Sequence, residues 1–160
     1  MKISEILVAG FALSALALAY DGDSFAGKFE NLPQAVKETA KAQMGEAFPV
    51  SIGSAQTDGG WNYQINMRLN GKYHDIVIDE KGKLLAVKDE TDLASLPAAA
   101  KAAIQKQATA SKIMTLEKVT EGGRVSYGAV IKDDAQGTVV RVRVAEDGTL
   151  RSNNQAATGK

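Results

Sequence analysis

The chain has 160 residues with 19 basic and 19 acidic side chains, so its formal charge is zero and no basic stripe exists to hold the phosphates of a nucleic acid. It contains no cysteine, which excludes a disulfide framework and a thiolate metal site. Its stability must therefore come from packing, in one domain or in two small ones in close contact.

The N-terminus reads as a secretory signal. Lys2 supplies a short positive start, Ile6 to Ala19 is apolar or small throughout, and Ala17-Leu18-Ala19 is an A-x-A cleavage site. Glu5 is unusual for the positive region. A retained membrane anchor is the competing reading. The run of 14 residues is short against the roughly 20 a bilayer needs, so residues 1–19 are expected to be removed, with no membrane contact afterwards. Export then places the protein in the periplasm or outside the cell. Removing Lys2 and Glu5 leaves 18 basic and 18 acidic residues, so the charge balance is unchanged. Residues 20–30 are polar, include Asp21-Gly22-Asp23, and are expected to form a flexible lead. The later ligands of an EF-hand loop do not follow.

A helix is expected from about Pro33 to Met44. Proline is tolerated in a first turn, where its missing N–H would be unpaired anyway. Asn31 and Gln34 have capping-box spacing. Leu32, Val36, Ala40 and Met44 recur every four residues as one apolar stripe. Gly45 stops the helix and Pro49 prevents its resumption. Four strands follow: Val50–Gln56, Trp61–Leu69, Tyr73–Asp79 and Leu84–Lys88. Asp58-Gly59-Gly60, Asn70-Gly71 and Lys81-Gly82 separate them, and Asn-Gly between alternating strands is a strong hairpin signal.

A second helix is expected from Pro97 to about Thr109, with Ala100 and Ile104 in its stripe and Ser95 as its cap. Strands Met114–Thr120, Arg124–Lys132, Thr138–Ala145 and Leu150–Ser152 follow it. Residues 153–160 read as a disordered tail.

The chain thus states one pattern twice. Leu32-Pro33, Lys37, Gly59 and Tyr63 match Leu96-Pro97, Lys101, Gly123 and Tyr127 at an offset of 64. Gly71, Ile76, Ile78, Gly82 and Leu84 match Gly137, Val142, Val144, Gly148 and Leu150 at 66. The difference falls in the Lys132–Gly137 loop, where length change is tolerated. The fold class expected is α+β: two tandem units, 31–92 and 93–152, each a helix and a four-stranded antiparallel meander. Trp61, Tyr63, Ile65, Met67 and Leu69 alternate with Asn62, Gln64, Asn66 and Arg68. Strands with one apolar and one polar face belong to a sheet covered on one side. Tyr127, Val140, Val142 and Val144 repeat that arrangement, so both helices are expected on one sheet face.

A helix opened by Leu-Pro, four strands, a tyrosine in the second strand and an acidic-Gly turn before the fourth resemble the PepSY-like family. Its members are exported bacterial domains related in fold to the beta-lactamase inhibitor protein. The likeness rests on Leu32-Pro33, Ala47-Phe48-Pro49, Tyr63-Ile65, Ile76-Val77-Ile78-Asp79 and Gly82. In the second half it rests on Leu96-Pro97, Tyr127, Val142-Val144 and Gly148. It spans nearly the whole chain after residue 19, and its motifs record turns and core positions. The resemblance implies export, a tandem arrangement, and inhibition or modulation of proteases or other secreted enzymes. It carries no catalytic residues. Two departures argue against beta-lactamase as the target. The beta-lactamase inhibitor protein has disulfides and an aromatic-rich binding face, whereas alternation here turns Trp61, Tyr63 and Tyr127 toward the helices and leaves Tyr73 alone on the open face.

No chemistry is legible beside this. His74, the single histidine, falls on the apolar side of its strand, away from Asp75 and Asp79, and lacks the partners of a catalytic or zinc site. Asp79-Glu80, Asp89-Glu90 and Asp92 read as solvated charge grouped at one end of the sheet. Asp133-Asp134 reads as a hairpin tip. No nucleophile elbow or phosphate loop is present. The protein is therefore not expected to be an enzyme or to carry a cofactor or metal. The open sheet face would show Asn62, Gln64, Asn66, Val77, Ser126, Val130, Lys132 and Val139. The residues expected to meet a partner there are Arg68, Tyr73, Asp75, Arg141 and Arg143, since tyrosine and arginine are enriched at binding hot spots. The partner expected is another exported protein, with inhibition of a secreted hydrolase as the sharper form. The alternative is an envelope protein that binds or senses a small ligand or ion.

Overall fold

The computed structural model describes residues 25–109, 111–133 and 137–157. Residues 1–19, the start of the lead, Asp134 and residues 158–160 lie outside the described residues. Among the described residues three helices, α1 (Phe25–Glu30), α2 (Gln34–Met44) and α3 (Ala98–Gln107), accompany eight strands. The strands are β1 (Phe48–Thr57), β2 (Gly60–Leu69), β3 (Lys72–Asp79), β4 (Leu84–Glu90), β5 (Lys112–Glu121), β6 (Arg124–Asp133), β7 (Thr138–Ala145) and β8 (Leu150–Ala157). They form one antiparallel sheet in the order β1-β2-β3-β4-β5-β6-β7-β8, so the protein is α+β with every strand beside its neighbour in sequence.

Both apolar stripes are buried as their spacing demands. Val36 and Ala40 of α2 pack with Ile65, Met67, Ile76 and Ile78 of β2 and β3. Ala100 and Ile104 of α3 pack with Tyr127, Ala129, Ile131, Val142 and Val144 of β6 and β7. The register carries one sheet face through both clusters: Ile76 faces Val87, Val87 faces Thr120, and Thr120 faces Val125, which packs on the second cluster.

Several local expectations are corrected. The lead is not wholly without structure: Phe25–Glu30 is helical, and Phe29 is buried in the first cluster, with its carbonyl accepting the Leu32 N–H. The last strand does not end at Ser152. Its backbone pairs with β7 as far as Ala157, opposite Thr138, because the ladder offers partners along the whole of β7. Neither helix has a side-chain cap, for Pro33 and Pro97 themselves occupy the cap positions. Gln34 instead donates to Glu38, and Ser95 bonds Asp92.

Trp61 is the main exception to the alternation. It is 42% exposed although its register places it on the helix side. It stands beside the Thr57–Gly60 hairpin, outside both core clusters, and its backbone N–H donates to Glu80. Tyr63 packs against the first cluster and Tyr127 is buried in the second, as expected.

Two turns fix the helices to the sheet. Gly82 has φ +84°, and a Cβ there would lie 2.7 Å from the Ala35 carbonyl oxygen in the first turn of α2. Gly148 has φ +83°, with a Cβ 2.8 Å from the Ala99 oxygen in α3. Thr39 Oγ1 donates to the Gly82 carbonyl at 2.6 Å, so the first of these turns is also hydrogen-bonded to its helix. Gly82→Ala and Gly148→Ala are each expected to destabilise the protein by about 2–4 kcal/mol, from left-handed backbone strain plus overpacking. Urea unfolding reads this as a lower midpoint at unchanged slope; midpoints within error of wild type would refute the contact.

Candidate functional site

The polar sides of the strands gather on the face opposite the two core clusters. Register lines up Phe48, Arg68 and Tyr73 across β1, β2 and β3. It then lines up Glu90, Glu117, Gly128, Arg143 and Ser152 across β4 to β8. The Tyr73 N–H joins the two runs by donating to Glu90 Oε2 at 3.0 Å. This transverse row holds three of the five residues expected to bind.

At its first end Arg68 stacks on Tyr73, the guanidinium carbon 3.3 Å from the ring centroid. Arg68 also lies 3.9 Å from Glu90 Oε2 and donates to the Gly71 carbonyl. An arginine held over an aromatic face loses little freedom on meeting a partner. Phe48, directly opposite Arg68, is 73% exposed, and Tyr73 is 48% exposed, so the stack presents apolar area to water. At the other end Arg143 lies 3.4 Å from Glu121. Arg141 is a row further along β7, opposite Val130, and does not join the row.

Asp75 lies in the adjacent row, between Asn66 on β2 and Lys88 on β4. Its pKa is raised chiefly by burial, against the lowering effects of Lys88, the Met67 N–H, His74 and Gln64. Glu117 is raised for the same first reason, opposed by Lys88 and Arg143 and reinforced by Asp75. Asp75 Oδ1 and Glu117 Oε1 are both buried without a hydrogen-bond partner in the protein. Gly128 gives Glu117 its room: a Cβ there would lie 2.7 Å from the same Oε1.

The face is not uniformly polar. Val77, expected to be exposed, is buried, as are Ala86, Val119 and Ala145 on the same side of the sheet. They belong to neither core cluster. Short side chains set among Gln64, Lys88 and Glu121 are covered by those longer neighbours rather than by a helix.

The acidic residues do not form one group. Asp79 closes the β3–β4 turn by accepting the Lys81 and Lys83 N–H groups, and Glu80 accepts from Trp61. Asp89 and Glu90 close the opposite end of β4 and Asp92 follows it, so the length of that strand separates them from Asp79 and Glu80. His74 does have a partner that alternation within its own strand could not reveal. Its Nδ1 lies 2.6 Å from Asp89 Oδ1 across the β3–β4 ladder. The pair borders a shallow depression of about 340 Å³ with Leu69, Lys72 and Tyr73.

Sequence reasoning missed Phe48, Lys88, Glu90, Glu117 and Gly128. One signal existed. Pro49 and Ile52, like Ile113 and Leu116, are apolar at a spacing of three, and a bulge lies between Pro49 and Ser51 and between Ile113 and Thr115. A bulge resets the alternation, and with it the face on which Glu117 falls.

No protein-family model and no curated protein matches the chain. Solved structures do. One is a protein of Bacteroides eggerthii DSM 20697 provisionally assigned to the periplasm, 12% identical, with TM-score 0.65 over 78% of this chain and 88% of that one. A DUF2874 family protein of Bacteroides ovatus ATCC 8483 is 16% identical, with TM-score 0.62 over 78% and 87%. A BLIP-like protein of Bacteroides fragilis NCTC 9343 is 16% identical, with TM-score 0.60 over 81% and 89%. At these identities the likeness is one of fold: the chain has the fold that DUF2874 family and BLIP-like proteins share.

The raised acids set a pH dependence. A carboxyl whose folded pKa exceeds its unfolded value holds more protons folded than unfolded between the two. Stability therefore falls as pH rises through that window. For Asp75 and Glu117 the window opens at the ordinary carboxylate range and extends above it. Asp92 and Asp147 are lowered, by hydrogen bonds from Ser95 and Thr149, and their windows lie below that range. Asp75→Asn and Glu117→Gln are expected to raise stability at neutral pH and to flatten the decline. Urea midpoints taken from about pH 4 to about pH 8 test this, and variants less stable than wild type at the upper end would contradict it.

Proposed function

We propose that the chain is an exported, non-catalytic PepSY-like binding module, made of two tandem helix-plus-four-strand units, that docks another exported protein on its open sheet face. In its sharper form the module inhibits or modulates a secreted hydrolase. Residues 1–19 serve as the export signal in this reading, and the mature protein works in the periplasm or outside the cell.

The observation that carries the reading is the character of the open face. Arg68 stacks on the exposed Tyr73, and the exposed Phe48 stands opposite Arg68 in register. Exposed aromatics beside arginine are the composition of interface hot spots. The periplasmic assignment of the Bacteroides eggerthii protein supports the compartment, and the BLIP-like protein of Bacteroides fragilis supports a binding role.

Duplication is supported by matched geometry. Pro33 and Pro97 have φ and ψ of −52°, 144° and −53°, 143°. Gly82 and Gly148 touch equivalent helix carbonyls. Bulges fall at Pro49/Ser51 and Ile113/Thr115, and again at Val77/Ile78 and Arg143/Val144. Val50 and Met114, the residues inserted at the first pair, are both exposed.

Crosslinking tests the proposal. A photoreactive residue at Tyr73 or Thr115 on the open face is expected to trap a protein from an envelope extract of the source cells. The same residue at Gln105, exposed on α3, is expected to trap none. Phe48→Ala and Tyr73→Ala are expected to weaken capture by about tenfold or more, and Arg141→Glu with Arg143→Glu to abolish it while the protein stays folded. Equal crosslinking from both faces, or capture unaffected by all of these variants, would overturn it.

A further inference from the structure

The ladder between β4 and β5 joins Ala86–Glu90 to Glu117–Glu121. On the open face it sets Glu90 directly opposite Glu117, an arrangement that like charges make unfavourable. Lys88 stands opposite Asp75 on one side and Val119 on the other. Two carboxylates, Asp75 and Glu117, thus share the field of one ammonium. Glu90 is already held by Arg68 and by the Tyr73 N–H. Arg143, the cation on the far side of Gly128, is drawn to Glu121 at 3.4 Å. His74, next to Asp75 in β3, bonds Asp89 instead. Lys88 acts on both Asp75 and Glu117, Arg143 acts also on Glu117, and Asp75 is bonded by the Met67 N–H and Gln64; among the described residues each acid still has one buried oxygen without a partner.

We infer that Asp75, Lys88 and Glu117 form a proton-operated joint at the seam of the sheet. As the pH falls one proton enters the pair from solvent, tightening the β4–β5 ladder and removing one negative charge from the open face. Protonation turns an acceptor-only carboxylate into a group that can also donate, and on Asp75 it relieves the repulsion that Asp75 exerts on Glu117. Lys88 stands beside both acids, so the charge state of one bears on the other. The consequence for binding rests on the open face being a docking surface; the titration does not. A partner drawn by the charge of the open face would bind differently once the pair takes up its proton.

The test follows the carboxyl carbons of the folded protein by ¹³C NMR across pH, with amide exchange of Lys88 and Val119 corrected for intrinsic rates. Asp75 and Glu117 are expected to titrate above the ordinary carboxylate range. Asp75→Asn is expected to move the Glu117 midpoint down, and Lys88→Met to move both midpoints up. Seam amides are expected to exchange more slowly once the pair is protonated. The inference is overturned if the Glu117 midpoint is unmoved in Asp75→Asn, which keeps the shape of the side chain, or if seam exchange ignores the protonation state. A joint that titrates as described in a protein that captures nothing supports this inference and removes only the docking reading.

Discussion

The structure depends on cover being supplied to one side of the sheet. The central strands, β2 and β7 most plainly, alternate residues between a covered and an open face, and the described helices are short. A helix of about 11 residues is roughly 16 Å long, enough to shield part of one face of a sheet. All the large, fully buried side chains but one belong to the two clusters beneath α2 and α3. The exception, Val119, lies on the other side, at the seam between the halves. Once the helices are committed to one face, the remaining face must remain soluble through its own side chains. It does so with polar and charged residues, and with stacked pairs such as Arg68 on Tyr73.

Much of this was legible in the chain. The spacing of four in Leu32, Val36, Ala40 and Met44 located α2, and the alternation from Trp61 to Leu69 assigned β2 and its two faces. Glycines at the hairpins marked the turns, because positive φ is costly for other residues. The failures share a cause: contacts supplied by elements distant in sequence. Nothing near Trp61 reveals that it stands outside both core clusters. Nothing near His74 indicates that Asp89 is its neighbour, since that depends on how β3 and β4 pair. The polar run after Leu150 looked like a tail until β7 offered it a ladder.

The candidate site was only half readable for the same reason. Arg68, Tyr73, Asp75 and Arg143 follow from alternation within single strands. The residues that give them meaning come from across the sheet: Glu90 holding Arg68, Lys88 beside Asp75, and Glu117 lying over Gly128. A strand register is a tertiary property, and a bulge shifts it without an unmistakable local signature. The seam unites these parts. The same five-pair ladder that makes one sheet of β1 to β8 brings Glu90 of β4 opposite Glu117 of β5.

The absence of cysteine permits a direct measurement of the one-sided cover. Single cysteines at Ser51, Thr115 and Arg141 on the open face, and at Ala40 and Ala129 under the helices, can be timed with a thiol reagent in native buffer. The first three are expected to react promptly, and the last two only as fast as the protein unfolds. Equal rates from the two sets, or protection of the open-face sites, would contradict the arrangement on which the fold and the proposed docking both stand.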